Sequence, residues 1–198
     1  MSKTRILLIP TTKKHGGRKN RADYLIRPEE TRDLDAVAGI YNRIHDSEEQ
    51  GRQTIGWLRD VYPVRQTAQA ALDREELYVL ETEGAVLGAA ILNRTQVITY
   101  AQGHWAHDAP EGQVFVLHTL VIAPEAAGRG YGRAFVAFYE DLARKNGCTE
   151  LRMDTNERNL AARTLYHKLG YTEVDILPTV FNGISGVNLV LLEKYLGA

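Results

Sequence analysis

The stretch that decides the fold is LHTLVIAPEAAGRGYGRAFVAFYEDLA, residues 117–143. It begins with residues that are apolar on both faces, as expected for a strand in the middle of a sheet. Gly128, Gly130 and Gly132 then alternate, and an apolar stripe with helical spacing follows them. Glycines let backbone N–H groups approach a ligand closely, and a helix N-terminus adds unpaired donors. The stretch therefore predicts an anion site, most naturally for a phosphate or pyrophosphate, with a plain glycine turn as the alternative.

Two common phosphate-binding motifs do not fit these glycines. A P-loop requires Gly-Lys-Ser/Thr five residues after its first glycine, where this chain has Arg133 and Ala134. The dinucleotide fingerprint lacks its third glycine, because Arg133 or Phe135 stands there, depending on which glycine is taken as the first. NAD and ATP are therefore not the leading ligands.

The pattern on either side of this stretch predicts a mixed α/β sheet. The predicted strands are 23–28, 76–82, 85–93, 113–124, 148–155 and 186–196. The predicted helices are 31–45 with Thr31 as N-cap, 57–72 with an interruption at Pro63, 131–147 and 159–170. Residues 95–113 read as a polar loop, and there is room for one more short strand after Gly170.

Composition and charge bound the class of protein. The chain has 198 residues, of which 44% are apolar and 25% charged, as in an ordinary soluble domain. No apolar run approaches the roughly 20 residues of a bilayer helix, and the apolar stretch at residues 6–9 is too short for a signal-peptide core. The single cysteine, Cys148, excludes an intramolecular disulfide and argues against a structural zinc site. We therefore expect a cytoplasmic protein without a membrane span.

The net charge of −1 hides an asymmetry. Residues 1–21 hold seven Lys/Arg and no acid, whereas the rest of the chain holds 17 bases against 25 acids. This predicts a basic N-terminal leader or arm over residues 1–21 and one domain over residues 22–198. The leader has no aromatic residue for base stacking, so a solvated segment is favoured over nucleic-acid binding. An acidic domain suits a cationic substrate.

The glycine stretch resembles the GNAT superfamily of acetyl-CoA-dependent N-acetyltransferases, and so does NLAARTLYHKLGY, residues 159–171. The family's glycine motif is Arg/Gln-x-x-Gly-x-Gly/Ala. Here it falls on residues 127–132, where both glycines match and Ala127 replaces the leading Arg/Gln. The resemblance implies the single-domain GNAT acyltransferase fold, a mixed central sheet flanked by helices. It also implies transfer of the acetyl group of acetyl-CoA to a primary amine of a small or amino-acid-like molecule, by direct attack through a tetrahedral intermediate.

The resemblance assigns acetyl-CoA to particular residues. It implies that the pantetheine arm lies along Leu120, Val121 and Ile122, with a backbone N–H near Leu120 holding the oxyanion. It maps the pyrophosphate to the amides of Gly128, Arg129, Gly130, Tyr131, Gly132 and Arg133. It also assigns Asn159 and Ala162 to the cofactor site, and it implies no metal.

Two residues are predicted to carry protons. The family places a tyrosine beside the CoA sulfur, which makes Tyr166 the predicted donor to the departing thiolate; the alternative is a tyrosine of the core. His118 is a titratable group in an apolar strand, and arylalkylamine acetyltransferases have a histidine in a similar context. His118, water or a carboxylate is therefore the base that deprotonates the amine, and a structural histidine is the other reading of His118.

The remaining candidates are weaker. The predicted walls of an amine pocket are Trp57, Tyr62, Tyr100, Trp105, Phe181 and Asn182. A metal site at His104, His107 and Asp108 is disfavoured because they lie in an unpatterned loop, and Cys148 is expected in the core. Two other functions stay open, a non-catalytic acetyl-CoA sensor and a protein or peptide acetyltransferase. The family resemblance also allows a homodimer.

Overall fold

A computed structural model describes residues 24–197. The predicted basic leader, residues 1–21, lies outside the described residues. In chain order the elements are β1 (Leu25–Pro28), α1 (Leu34–Glu49), α2 (Arg65–Asp73), β2 (Leu77–Thr82), β3 (Ala85–Asn93), β4 (Val114–Ile122), α3 (Tyr131–Lys145), β5 (Glu150–Asn156), α4 (Leu160–Lys168), β6 (Thr172–Phe181) and β7 (Ile184–Tyr195). The predicted mixed α/β fold is confirmed.

The seven strands form one sheet in the order β1-β2-β3-β4-β5-β7-β6. All neighbouring strands are antiparallel except β4 and β5, which are parallel. A parallel pair needs a long crossover, which α3 supplies here. The glycine turn at the start of α3 therefore lies beyond the carboxyl end of β4.

The amphipathic helix α3 packs against the middle of the sheet. Its buried residues recur at helical spacing: Tyr131, Phe135, Val136, Tyr139, Leu142 and Ala143. Phe135 approaches β3 at Gly88, where an added Cβ would lie 2.9 Å from the Val121 carbonyl oxygen and 2.8 Å from the Ile122 side chain. Only glycine leaves room for β4 to lie this close to β3.

Two helix predictions need correction. The predicted helix 57–72 is wrong in its first part, because α2 begins at Arg65 and residues 57–63 are not helical. Pro63 lacks the N–H that a helix interior needs, which explains the break. Thr31 does not cap α1; it begins a short 3₁₀ turn, and Asp33 occupies the N-cap position of α1.

The strand expected after Gly170 is longer than predicted. It is β6, which has ten residues and pairs with β7 along its length. Exposure alternates along its second half because β6 is the last strand of the sheet, and the apolar residues Ile176 and Val180 lie at exposed positions, so the sequence has no regular apolar–polar alternation. Between residues 24 and 197, none of the helices combines the length and apolar character needed to cross a membrane.

Candidate active site

The strands β4 and β5 separate part-way along their length. They pair from Val114 with Glu150 to Leu117 with Met153, and no pairing follows. The register between β4 and β3 shifts at the same point, with His118 opposite Ile91 but Val121 opposite Ala89. This is a β-bulge, which leaves an extra residue without a partner in the ladder. The sheet therefore opens immediately after residue 117.

The backbone of the bulge is unusual. Thr119 has a φ of 49°, in the left-handed region that a β-branched residue rarely adopts. Its hydroxyl forms a hydrogen bond with the hydroxyl of Tyr62. This contact joins the bulge to the segment that precedes α2, and it holds Thr119 in its unfavourable conformation.

A cleft of about 480 Å³ opens where β4 and β5 separate. The carboxyl ends of β4 and β5, the start of α4 and the segments 53–62 and 181–182 all contribute lining residues. Among the predicted cofactor residues, Leu120, Val121, Ile122, Asn159 and Ala162 line it. So do four of the predicted pocket walls, Trp57, Tyr62, Phe181 and Asn182.

The glycine turn lies at one end of this cleft, where Ala127 is a lining residue. Gly128 and Gly130 have φ values of 77° and 84°, and a Cβ on either would meet nothing within 4 Å. These glycines are therefore required by backbone conformation, and they leave open space in front of the amides. The first N–H groups of α3 face no earlier turn of helix, as in other anion sites at helix N-termini.

Comparison with known proteins identifies the arrangement. The model of the Acetyltransferase (GNAT) family matches residues 39–171, well over half of the chain. The chain belongs to the GNAT acetyltransferase family. This membership makes the protein an acyltransferase.

Individual relatives agree with the GNAT assignment. The uncharacterized N-acetyltransferase YhfO of Bacillus subtilis is 26% identical over 150 residues, 75% of this chain and 89% of that protein. Aminoglycoside N(6')-acetyltransferase type 1 of Klebsiella aerogenes is 36% identical over 70 residues, 35% of this chain and 46% of that protein, so the match spans less than half of it. The structure of YncA from Salmonella typhimurium, with its cofactor acetyl-CoA, has the same fold; the TM-score is 0.64 at 19% identity, over 88% of this chain and 94% of that one.

Tyr166 of this GNAT domain is placed on α4 and lines the cleft. Tyr166 is 5% exposed and packs edge-on against Tyr171, with ring centroids 6.1 Å apart. Its hydroxyl has no hydrogen-bond partner among residues 24–197. Burial, and next the charge of Asp154, raise the pKa of Tyr166 above its ordinary value of 10. The phenol is therefore protonated at neutral pH and has a proton to donate.

His118 also lines the cleft, but its surroundings are those of a neutral imidazole. Its Nε2 lies 3.0 Å from Asn93 Oδ1 and 3.1 Å from the Thr95 carbonyl oxygen. A carbonyl only accepts, so Nε2 carries the hydrogen and Nδ1 the lone pair. Burial lowers the pKa of His118 to about 4. His118 is thus unprotonated at neutral pH and is a weak base.

The sequence analysis missed Asp154, which lies near the end of β5 and lines the cleft. Its Oδ2 accepts a hydrogen bond of 2.8 Å from the hydroxyl of Tyr100. Burial raises the pKa of Asp154 to about 7, although the bond from Tyr100 opposes this. A signal was present, because Glu150, Arg152 and Asp154 put three charges on one face of a strand predicted to be central.

The remaining predicted residues have structural contacts. Asn159 caps α4, with its Oδ1 accepting the Ala162 N–H at 3.2 Å. The side chain of Tyr131 is 3% exposed, so that residue offers only its backbone to a ligand. Gly132 lies close to α4, since a Cβ there would be 3.2 Å from Leu165. The exposed Arg129 reaches the Glu125 carbonyl oxygen at 3.4 Å, and Arg133 is exposed.

Other candidates lie away from the cleft. Trp105 donates to the Tyr100 carbonyl oxygen at 2.8 Å, and neither residue is among the cleft lining. Cys148 is buried, as expected. His104 contacts Asp175 at 2.8 Å, whereas His107 lies 3.8 Å from Glu150. The two histidines therefore have different acidic neighbours and do not form the disfavoured metal site with Asp108.

Proposed function

We propose that this GNAT protein transfers the acetyl group of acetyl-CoA to the primary amine of a small or amino-acid-like molecule. The observation that carries the proposal is that a protonated Tyr166 and a carboxylate of raised pKa, Asp154, line one cleft between two separated strands. One group can give a proton and the other can take one. Direct attack of an amine on a thioester needs both.

Acetyl-CoA is the co-substrate supported by family membership and by the acetyl-CoA in the YncA structure. The residues fit it. Leu120, Val121 and Ile122 lie where β4 has lost its partner β5, so their backbone groups are free to pair with the amides of the pantetheine arm. In this proposal the pyrophosphate binds the amides of residues 128–133, because the open glycine backbone and the helix N-terminus favour an anion.

The bulge in β4 supplies the oxyanion donor in this proposal. Thr119 and Leu120 together face the single residue Ala90 of β3, since His118 is opposite Ile91 and Val121 is opposite Ala89. A backbone N–H near Leu120 is thereby released from the ladder at the point where the thioester carbonyl would lie. Such a fixed donor stabilises the negative charge of a tetrahedral intermediate without having to reorganise.

Asp154 is the proposed base. An alkylamine near pKa 10 arrives protonated, and a carboxylate of pKa about 7 accepts that proton far better than an imidazole of pKa about 4. The charge of Asp154 also attracts the ammonium form of the acceptor. His118 remains the second candidate, because its unprotonated Nδ1 can still take a proton through water.

The acceptor class rests on the cleft and on one relative. Trp57, Tyr62 and Phe181 give the cleft apolar walls, and Asp154 gives it an acid. The name of the aminoglycoside acetyltransferase relative supports a small amine acceptor. A peptide acceptor is the second candidate, whereas a sensor without catalysis has no use for the free hydroxyl of Tyr166. A cytoplasmic location, a homodimer and the absence of nucleic-acid binding remain predictions of the sequence.

The decisive experiment measures release of CoA thiol from acetyl-CoA with a panel of small amines, amino acids, polyamines and peptides. We expect turnover with at least one small amine. The pH dependence of kcat/KM should then show an acidic limb near pH 7 if Asp154 is the base, or near pH 4 if His118 is. Absence of turnover together with tight binding of acetyl-CoA would favour the sensor.

The glycine turn provides a separate test of the cofactor site. Gly130→Val forces a branched side chain to adopt a φ of 84°, which strains the turn and displaces its amides. The matched control is Gly147→Val, at the other end of α3, where φ is 70° and the space is also open. Both variants should lose melting temperature, but only Gly130→Val should weaken acetyl-CoA binding in calorimetry. Equal affinity in both would place the pyrophosphate elsewhere.

Tyr166→Phe tests the proton donor. The change removes one hydroxyl that bonds to no described residue, so the fold and acetyl-CoA affinity should survive. Turnover should fall by about 10²–10⁴-fold, the usual contribution of a general acid. Tyr171→Phe is the control, because this ring neighbours Tyr166 but its hydroxyl bonds to Glu140. Wild-type turnover in Tyr166→Phe, with chemistry rate-limiting, would remove Tyr166 from the mechanism.

A further inference from the structure

A second group of ionisable side chains lies at the other end of β5, away from the cleft. His107, Glu150 and Glu193 each offer one ligand atom, and these atoms all lie within 4.8 Å of one another. Glu150 begins β5 and Glu193 lies near the end of β7, while His107 comes from the loop before β4. Glu150 is four residues from Asp154, about 13 Å along a strand. The group is therefore separate from the proposed catalytic residues.

The carboxylates of this group lack the partners that buried charges need. Glu150 is 0% exposed, and among the described residues only the neighbouring Glu193 carboxyl group, if protonated, could donate a hydrogen bond to its oxygens. Glu193 is 4% exposed; its Oε1 accepts the Ala106 N–H at 2.9 Å, and its Oε2 has no partner within that same part of the chain. Isolated buried carboxylates are strongly unfavourable, so either a cation or a proton must offset their charge.

Arg152 does not fill that requirement. Its guanidinium donates to Gln96 Oε1 at 2.7 Å and to the His107 carbonyl oxygen at 3.1 Å, and its plane lies 4.1 Å from the Trp105 ring. These contacts occupy its two terminal nitrogens, and within residues 24–197 neither nitrogen is hydrogen-bonded to Glu150 or to Glu193 Oε2. The charges of Glu150 and Glu193 act on Arg152, and that of Asp108 acts on it less. When Glu150, Glu193 and Asp108 are all charged and Arg152 is the cation beside them, the formal net charge is −2, which a divalent cation would balance.

We propose that His107, Glu150 and Glu193 form a binding site for a divalent transition-metal ion of the Zn²⁺ class. One imidazole nitrogen with two carboxylates is a mixed ligand set that suits Zn²⁺. His107 Nδ1 lies 3.8 Å from Glu150 Oε2. Ligand atoms about 2.1 Å from a tetrahedral zinc lie about 3.4 Å apart, so a small movement closes the site.

The position of His107 provides both order and access. Its ring stacks on Tyr195 with centroids 4.5 Å apart and planes 14° apart, which fixes its orientation. Its side chain is 46% exposed, so an ion reaches the two buried carboxylates past this residue. The bound ion would tie the loop that carries His107 to β5 and β7. The same loop carries Tyr100, whose hydroxyl bonds to Asp154.

The test is calorimetric titration of Zn²⁺ into the full chain, after removal of metals with a chelator, at pH 8. We expect saturable binding and a higher melting temperature with Zn²⁺, because the ion binds the folded state. His107→Ala and Glu150→Gln should each weaken the affinity for the tight site by more than tenfold. His104→Ala is the matched control, because His104 lies in the same loop but contacts Asp175. It should bind Zn²⁺ like the wild type.

Two results would overturn the proposal. One is binding of the same affinity in His107→Ala and Glu150→Gln, which would place the ion at other histidines. The other is the absence of saturable binding at micromolar Zn²⁺. That result would leave a proton shared by Glu150 and Glu193 as the positive group, detected as an ionisation that Glu150→Gln abolishes.

Discussion

The two ends of β5 carry carboxylates that are similar in one respect and different in another. Burial raises the pKa of both Glu150 and Asp154 to about 7. Asp154 accepts a hydrogen bond from Tyr100 and lines the cleft, whereas within residues 24–197 Glu150 interacts with a second carboxyl group, that of Glu193, which raises its pKa further. A raised pKa therefore reports removal from water and does not by itself locate a catalytic group. Access to a cavity that can hold a substrate distinguishes the two ends.

The largest expected difference between the two ends is in turnover. Asp154→Asn removes the proposed base and should lower kcat/KM by about 10²–10⁴-fold at pH 8. The acidic limb near pH 7 should disappear with it. Glu150→Gln makes the same kind of change on the same strand face. The kcat/KM profile of this variant should keep its acidic limb near pH 7. If the acidic limb moves in Glu150→Gln but not in Asp154→Asn, then Glu150 and not Asp154 is the group whose ionisation controls turnover.

A smaller effect is expected from the hydrogen bond that only the cleft end has. Tyr100→Phe removes the hydroxyl that stabilises the ionised form of Asp154, so the pKa of Asp154 should rise further. The acidic limb should move up by about one pH unit, since one hydrogen bond to a charge is of that order. The profile of kcat/KM against pH measures this.

Tyr139→Phe is the control for Tyr100→Phe. The hydroxyl of Tyr139 is also buried, but it donates to the carbonyl oxygens of Phe115 and Arg152. Both variants should lose some stability, and only Tyr100→Phe should shift the limb. An equal shift in both would mean that general loosening of the sheet, and not the bond to Asp154, sets the pKa.

The smallest effect is on stability, and it concerns Glu150 at the start of β5. Between about pH 4.5 and 7 the folded protein keeps a proton on Glu150 that the unfolded chain has lost. The folded state then binds more protons, so the free energy of unfolding falls as pH rises through this window. In chelator-treated protein, Glu150→Gln should make the fall shallower by roughly 1–3 kcal/mol. Urea unfolding at pH 5 and pH 8 measures this, and equal falls in both proteins would contradict it.

The sequence was sufficient where the signal is local. The glycines before α3 and the capped helix that carries Tyr166 are recognisable from spacing alone, because turns and helix ends depend on adjacent residues. The central strand β4 was predicted for the same reason. These elements are enough to identify the family resemblance and the expected position of the cofactor.

Contacts between distant segments were beyond the sequence. The partner of Asp154 is Tyr100, 54 residues earlier, and the cleft beside it exists only because β4 and β5 separate. His118 was predicted as a titratable candidate, but its neutral state follows from its burial, and the tautomer follows from the carbonyl groups of Asn93 and Thr95. No spacing rule relates such residues. The choice between His118 and a carboxylate as the proposed base therefore depends on the folded structure.

The separation of β4 from β5 leaves an unpaired strand edge inside the sheet. Unpaired margins normally invite other chains to add strands, and proteins shield them at the periphery with charges or short strands. Here the unpaired edge of β4 lies within the cleft, with β5 on one side and the start of α4 beside it. A cleft of about 480 Å³ is small for a second sheet, whereas the pantetheine arm of the proposed co-substrate is a single amide-bearing chain. The unpaired backbone groups of β4 thus face the cleft, where a ligand can pair with them, and do not form an outer edge of the sheet.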